Sequence, residues 1–379
     1  MSFYSEEHLL FQNSIDAFCQ KEITPYIKDW EEKKFFPSSI FKVLAREGYL
    51  GILVDEKWGG MGLDYIYASA WCEAFGKVPS LGFTTAVNMH SLVITPTLSR
   101  LGSKEACERW IKEAVSGNAI GAYAFTEPNA GSDMSGIRTR AKKDGNDFIL
   151  EGSKIFITNG KRADFVLVLA KTDPDAGYKG FTTFVVDTTL PGFSVSRSLD
   201  KIGWHCSDTA ELVFDGVRVP SSCVLGDVGM GWKQAMASLE WERLMLSFLS
   251  ISGASKCLAE TLKYVEDRKV FGRTVGSFPV NRELLISFKS QLESARSLAW
   301  DSARRLQEGL SCRLEVSALK AYVCERAFQI AHHCLQLHGG YGYTTEFLPE
   351  RWLRDLRLNT IGGGTTQIMQ RVIMKELWK

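Results

Sequence analysis

The spacing of apolar residues changes twice along this chain, and these two changes restrict the fold more than any other feature of the sequence. Residues 1–117 carry apolar side chains at helical spacing, residues 118–229 carry short strand-like runs such as 165–170 and 181–186, and helical spacing returns over residues 230–379. With 379 residues and 45% hydrophobic content, the chain can bury several cores. The pattern predicts an α+β protein of three domains, with a helical domain at each end and a β domain between them.

Glycine and proline residues mark where the helical stretches break. In the first domain the breaks fall at Pro37, at residues 59–62 and at Pro79, and in the last domain they fall near Gly276, Gly309 and Gly339. The segments between the later breaks are long enough for helices that run antiparallel to one another. The third domain is therefore expected to be a helical bundle.

Charge and cysteine usage exclude several classes of protein. The 45 Lys and Arg residues are balanced by 44 Asp and Glu residues, so no net field attracts nucleic acid or an anionic membrane. Nine Cys residues without a CxxC pair indicate a reducing compartment, and the six His residues form no metal-binding pattern. No run reaches the roughly 20 apolar residues of a membrane span, and no targeting segment is evident at the start. We expect no metal, no nucleic acid partner and a cytoplasmic location, although a mature mitochondrial matrix form would give the same pattern.

Six short motifs occur at residues 123–133, 154–160, 208–209, 266–272, 336–342 and 360–367. Their residues and their order resemble one enzyme family, the acyl-CoA dehydrogenases. These flavoproteins desaturate the α,β bond of a fatty acyl thioester. The resemblance implies FAD as the cofactor, a barrel-like middle domain, a C-terminal four-helix bundle, a homotetramer or homodimer, and an electron-transfer flavoprotein as electron acceptor. No amino-acid side chain can accept a hydride, which makes a cofactor necessary for this chemistry.

The resemblance also assigns cofactor contacts to named residues. Thr126 would hydrogen-bond the flavin ring, Gly131 would let the backbone approach it, and Arg268 would reach the FAD of a neighbouring subunit. Two departures stand out, because Phe156 replaces the tryptophan of most relatives and Pro279 replaces a usual glutamine. The expected FAD contacts are Tyr123, Phe125, Thr126, Gly131, Ser132, Phe156, Thr158, Arg268, Gln336, Gly339, Gly340, Thr365, Thr366 and Gln367.

The catalytic base is expected on a helix of the third domain. Most relatives carry a glutamate where this chain has Gly363, whereas the long-chain and isovaleryl-type branches place it before an arginine, as in Glu242 followed by Arg243. Helical geometry adds an independent constraint, since Glu240 and Glu242 point about 200° apart and only one of them can face the flavin. A carboxylate on the apolar face of a helix has a raised pKa, which suits a base. The alternative is that Glu242 belongs to a buried ion pair.

The expected reaction is removal of the α-proton by Glu242 with transfer of the β-hydride to the flavin. A backbone N–H at Gly363 or Gly364 would polarise the thioester carbonyl. Small residues in this turn favour a long or branched acyl chain. Three alternatives stay open: a carrier-protein thioester as substrate, an oxidase that uses oxygen, and a non-catalytic assembly protein. The expected substrate contacts are Ser132, Glu240, Arg243, Gly363 and Gly364.

Overall fold

The N-terminal domain is a cluster of helices in the computed structural model, which describes residues 4–378. Side-chain caps begin several of these helices. Asp64 accepts hydrogen bonds from the Ile66 and Tyr67 N–H groups, and Ser103 accepts one from the Ala106 N–H group. Residues 89–94 form a π-helical turn between the fifth and sixth helices. The helices are α1 (Glu6–Glu22), α2 (Ile27–Glu32), α3 (Ser39–Arg46), α4 (Tyr65–Phe75), α5 (Leu81–Asn88), α6 (Thr95–Leu101) and α7 (Lys104–Val115).

The middle domain is a curled sheet of seven strands. The strands are β1 (Gly121–Ala124), β2 (Arg140–Asp144), β3 (Asp147–Thr158), β4 (Phe165–Lys171), β5 (Phe181–Asp187), β6 (Phe193–Ser198) and β7 (Thr209–Pro220). Their order is β1-β4-β2-β3-β7-β6, and β5 also pairs with β4. β1 runs parallel to β4, with Gly121 opposite Phe165, whereas β3 and β7 are antiparallel. All seven residues of β5 are buried, as expected for a strand covered on both faces.

Long helices build the C-terminal domain. The first of them, α8, packs against α4 of the N-terminal domain as well as against three of its own domain's helices, and so joins the two helical regions. None of the described helices combines the length and apolar content that crossing a bilayer requires. The elements are α8 (Gly231–Asp267), β8 (Lys269–Val270), β9 (Arg273–Thr274), α9 (Pro279–Gln307), α10 (Arg313–His338), α11 (Leu348–Asn359) and α12 (Thr366–Leu377).

The predicted succession of helices, sheet and helices is therefore confirmed. The exact domain limits at residues 117 and 229 stay a prediction, although helix gives way to strand between Val115 and Gly121, and α8 begins at Gly231. Four parts of the chain meet where the domains join: the segment after β1, the end of β3, the first third of α8, and the turn between α11 and α12. They surround a single cavity.

Candidate active site

The cavity has a volume of about 620 Å³, within the range of ligand sites in proteins. Residues from all three domains line it. Many of the residues that the sequence predicts for cofactor, base or substrate lie together in its wall. They are Tyr123, Phe125, Thr126, Gly131, Ser132, Phe156, Thr158, Glu242, Gly363, Gly364 and Thr365.

A buried ion pair fixes the segment after β1. Lys154 Nζ lies 2.8 Å from Glu127 Oε1 and donates to the Phe125 carbonyl at 3.0 Å, while the Ile155 N–H donates to the Thr126 carbonyl at 2.9 Å. Burial lowers the pKa of Lys154 to about 8. Burial acts to raise the pKa of Glu127, but Lys154 and the hydrogen bonds outweigh it and lower that pKa. β3 therefore holds Phe125 and Thr126 in place through both backbone and side chain.

The end of β3 turns one aromatic side chain outward. The pairing register between β3 and β7 shifts between Lys154 and Ile157, and in this bulge Phe156 has φ = +62° and a 64% exposed side chain. A positive φ is rare for a bulky residue, so the surrounding structure must stabilise it. Directly after β3, Asn159 donates from Nδ2 to the Ala86 carbonyl at 2.8 Å, which ties the end of the strand to α5.

Glu242 contributes the carboxylate of the cavity. Protein surrounds the side chain, and the solvent that reaches it comes through the cavity. Burial raises the pKa of Glu242, and this effect outweighs the opposing influence of Arg243 and Lys320. Within residues 4–378 no cation lies within 4.0 Å of its carboxylate, so the alternative of a buried ion pair gains no support.

Glu240 lies elsewhere, although it is only two residues away. Its half-buried carboxylate faces the Cys312 backbone and Arg313 at the start of α10, and it does not line the cavity. This is the separation that helical geometry requires of positions two apart. The expectation that Glu240 contacts substrate therefore has no support from its position.

A glycine turn forms the wall opposite α8. Gly363 has φ = +64° and Gly364 has φ = +100°, a backbone conformation that favours glycine. A Cβ on Gly363 would lie 2.9 Å from Leu246 Cδ1 and 3.6 Å from Glu242 Oε1, which shows how closely the turn approaches the helix. Arg243 lies outside the cavity wall but donates from Nε to the Gly363 carbonyl at 3.0 Å.

The N–H groups of this turn are available to a ligand. Among the described residues, neither Gly363 nor Gly364 donates its N–H to an acceptor. Thr365 caps α12 by accepting from the Ile368 N–H at 3.2 Å. Two free donors near a buried carboxylate can stabilise negative charge on an oxygen while a proton is removed nearby.

The remaining predicted FAD residues lie outside the cavity wall, and four of them form a second, exposed group. Arg268 follows α8, and its guanidinium is 5.7 Å from the Tyr341 ring, beside the end of α10. Gln336, Gly339 and Gly340 are exposed in the same region. Thr366 and Gln367 begin α12, outside the cavity wall, and Thr366 donates to Glu325 at 2.7 Å. None of these residues lines the cavity.

Several wall residues were not predicted from the sequence. Thr85 and Met89 come from α5 and the π-helical turn, and Trp204 comes from the loop before β7. Trp204 has φ = +54°, and its N–H donates to Asp355 Oδ1 at 2.6 Å. Arg354 and Arg357 reach the cavity from α11. The only signal near them was the 208–209 motif, whose Thr209 also lines the cavity.

The wall fits the flavin part of FAD. Within the described part of the chain, the Thr126 and Thr158 side chains make no hydrogen bond, so both hydroxyls are available to ring nitrogens and oxygens. A Cβ on Gly131 would meet only Thr126 Cγ2, at 3.9 Å, which leaves room for a flat ligand. The exposed Phe156 ring provides an apolar surface.

Family models and relatives agree on the identity of the chain. The acyl-CoA dehydrogenase N-terminal, middle and C-terminal domains match residues 5–118, 122–217 and 229–378. The chain is 38% identical over 381 residues to the long-chain specific acyl-CoA dehydrogenase of Sus scrofa, covering 99% of this chain and 87% of that protein. It is 35% identical over 372 residues to the isovaleryl-CoA dehydrogenase of Solanum tuberosum, covering 97% and 90%.

Solved structures give the same result. The acyl-CoA dehydrogenase of Geobacillus kaustophilus superimposes with a TM-score of 0.96 at 35% identity, covering 99% of this chain and 98% of that one. A glutaryl-CoA dehydrogenase of Mycobacterium smegmatis in complex with FADH2 has a TM-score of 0.93 at 29% identity, covering 99% and 95%. The prediction of FAD as cofactor is confirmed at the level of the family. This chain belongs to the acyl-CoA dehydrogenase family, FAD oxidoreductases that act on CH–CH groups.

Proposed function

We propose that the protein dehydrogenates a long or branched acyl-CoA to the trans-2-enoyl-CoA, with Glu242 as the base. One observation carries this proposal: a single cavity contains the Glu242 carboxylate, the unpaired N–H groups of Gly363 and Gly364, and the segment around Thr126. These are the groups needed to remove a proton, to hold a carbonyl oxygen and to bind a flavin. Residues Phe125, Thr126, Phe156 and Thr158 would hold the flavin.

In the proposed mechanism the thioester carbonyl oxygen accepts a hydrogen bond from the Gly363 or Gly364 N–H. This polarisation makes the α-proton more acidic, and Glu242 removes it. A base with a pKa raised by burial is better matched to a weak carbon acid than an exposed carboxylate is. FAD, when bound, supplies the acceptor for the β-hydride. An acyl chain in the cavity excludes water from these groups.

The shape of the turn supports the proposed acyl class. Gly362 and Gly363 contribute no side-chain bulk to the wall beside Glu242. A long or branched acyl group therefore has space that a larger residue would fill. Oligomerisation to a tetramer or dimer would bring the exposed group around Arg268 to a neighbouring subunit's FAD. The same proposal includes an electron-transfer flavoprotein as the electron acceptor and a cytoplasmic location for the protein.

An anaerobic titration tests the proposal. Purified holoprotein is mixed with straight and branched acyl-CoAs of increasing length, and loss of oxidised-flavin absorbance is followed. Wild type should bleach with some long or branched esters, whereas Glu242→Gln should retain FAD and bleach at least about 10²-fold more slowly. Glu260→Gln is the matched control, because Glu260 lies on the same helix outside the cavity. Equal bleaching by Glu242→Gln would exclude Glu242 as the base.

A further inference from the structure

Lys320 is a buried lysine in the first third of α10, and within the described part of the chain no carboxylate neutralises its charge directly. It is 1% exposed, and within residues 4–378 no carboxylate oxygen lies within 4.0 Å of its Nζ. Burying an ammonium group is costly unless it makes strong hydrogen bonds. Lys320 makes two, to the carbonyl of Asn359 at 3.0 Å and to the carbonyl of Gly364 at 2.8 Å.

These two carbonyls lie at opposite ends of the glycine turn. Asn359 is the last residue of α11, and Gly364 lies two residues before α12 begins. One ammonium group therefore links both ends of the turn, while Arg243 holds the Gly363 carbonyl between them. Because both glycines can adopt many backbone conformations, these bonds select the one in which their N–H groups stay unpaired.

Lys320 and Glu242 both approach the glycine turn. A Cβ on Gly363 would lie 3.4 Å from Lys320 Cε and 3.6 Å from Glu242 Oε1, so both side chains come close to the same side of this glycine. The charged and titratable groups that face Glu242 or Lys320 from the surrounding elements are Arg243 on α8, Tyr123 on β1, and Cys324 and Glu325 on α10.

We propose that Lys320 is a positioning residue for the dehydrogenation, because it fixes the glycine turn with its N–H groups toward the thioester and places a positive charge near Glu242. The inference rests on the proposed function, in which Glu242 is the base. Lys320 itself touches neither the acyl group nor the flavin.

The effect of the Lys320 charge on the pKa of Glu242 has a definite direction. Lys320 lowers the pKa of Glu242, against the larger effect of burial. Loss of the charge should therefore raise that pKa, and flavin reduction should require a higher pH. A residue that only fills space would not move the pH profile.

The test compares Lys320→Met, Lys320→Arg and Lys375→Met as holoproteins. Lys375, exposed on α12, is the control for loss of a lysine. For Lys320→Met we expect the pH midpoint of anaerobic flavin reduction to rise by about one unit and the rate at neutral pH to fall about tenfold. Lys320→Arg should keep the wild-type midpoint, because it keeps the charge.

Hydrogen exchange of residues 360–366 gives a readout independent of activity. Exchange should accelerate in Lys320→Met and stay at the wild-type rate in Lys375→Met. Unchanged exchange and an unchanged pH midpoint in Lys320→Met would overturn the inference. If that variant does not fold, a shifted midpoint in Lys320→Arg would overturn it instead. Failure of the proposed function is distinguishable, since wild type would then not bleach, or Glu242→Gln would bleach normally.

Discussion

Replacing Lys154 by Met should weaken both the fold of the middle domain and the retention of FAD. The substitution removes a fully buried ammonium group together with its bonds to Glu127 and to the Phe125 carbonyl. Methionine has a similar length and no charge, so the volume of the site changes little. The carboxylate of Glu127 stays behind without its cation.

The size of the effect follows from what remains around that carboxylate. Removing one partner of a buried ion pair costs about 3–5 kcal/mol, because the other charge stays buried. Glu127 still accepts hydrogen bonds from the Arg138 N–H at 2.6 Å and the Thr139 N–H at 2.9 Å. These bonds place the expected loss in unfolding free energy near the lower end, about 3 kcal/mol.

Urea unfolding of the apoprotein, followed by tryptophan fluorescence, measures this loss, and gel filtration measures FAD retention. Glu127→Gln and the double variant complete a cycle. The double variant should be more stable than the sum of the single losses predicts, by about 1.5 kcal/mol or more, since it no longer buries an unpaired charge. Strictly additive losses would refute the argument that the two side chains act as a pair.

Three further predictions concern the cavity. Gly363→Ala should lower the unfolding free energy by about 1–2 kcal/mol and slow flavin reduction, because alanine at φ = +64° is strained and its Cβ would crowd Leu246. Adding Leu246→Ala to the same chain should restore part of the reduction rate. Thr365→Ala should lower thermal stability by about 1 kcal/mol through loss of the α12 cap, whereas Thr365→Ser should not, as calorimetry can show. Stopped-flow reduction rates should rise with pH through the pKa of Glu242, which burial raises above its ordinary value, because the base works only when deprotonated; a rate that falls over this range would contradict the assignment.

The sequence predicted those features that depend on local periodicity. Strand and helix spacing are properties of short windows, so the order of the three domains could be inferred without tertiary information. The same holds for Glu240 and Glu242, whose opposite directions follow from the helical repeat alone. The motifs led to the wall residues Thr126 and Thr158 only through resemblance to a family.

Other features depend on contacts between distant parts of the chain. A lysine on a helix is ordinarily solvated, and the packing of α10 against the turn before α12 is what buries Lys320. The positive φ values of Phe156 and Trp204 have no signal in the residue types, because Phe156 lies in the bulge between β3 and β7 and Trp204 bonds Asp355 on a distant helix. The wall contributed by Thr85 and Met89 likewise depends on how the first domain docks on the others.

Because α8 is long, the position of the Glu242 carboxylate is sensitive to the angle of this helix. Its 37 residues make a rod of about 55 Å, and Glu242 lies about 38 Å from the end near Asp267. A tilt of about 1° around that end would move the carboxylate by about 0.7 Å, enough to disturb proton transfer. The packing of α8 on α4, α9, α10 and α11 fixes this angle. Substitutions far along the rod should therefore alter catalysis by changing its angle, without touching any residue of the cavity.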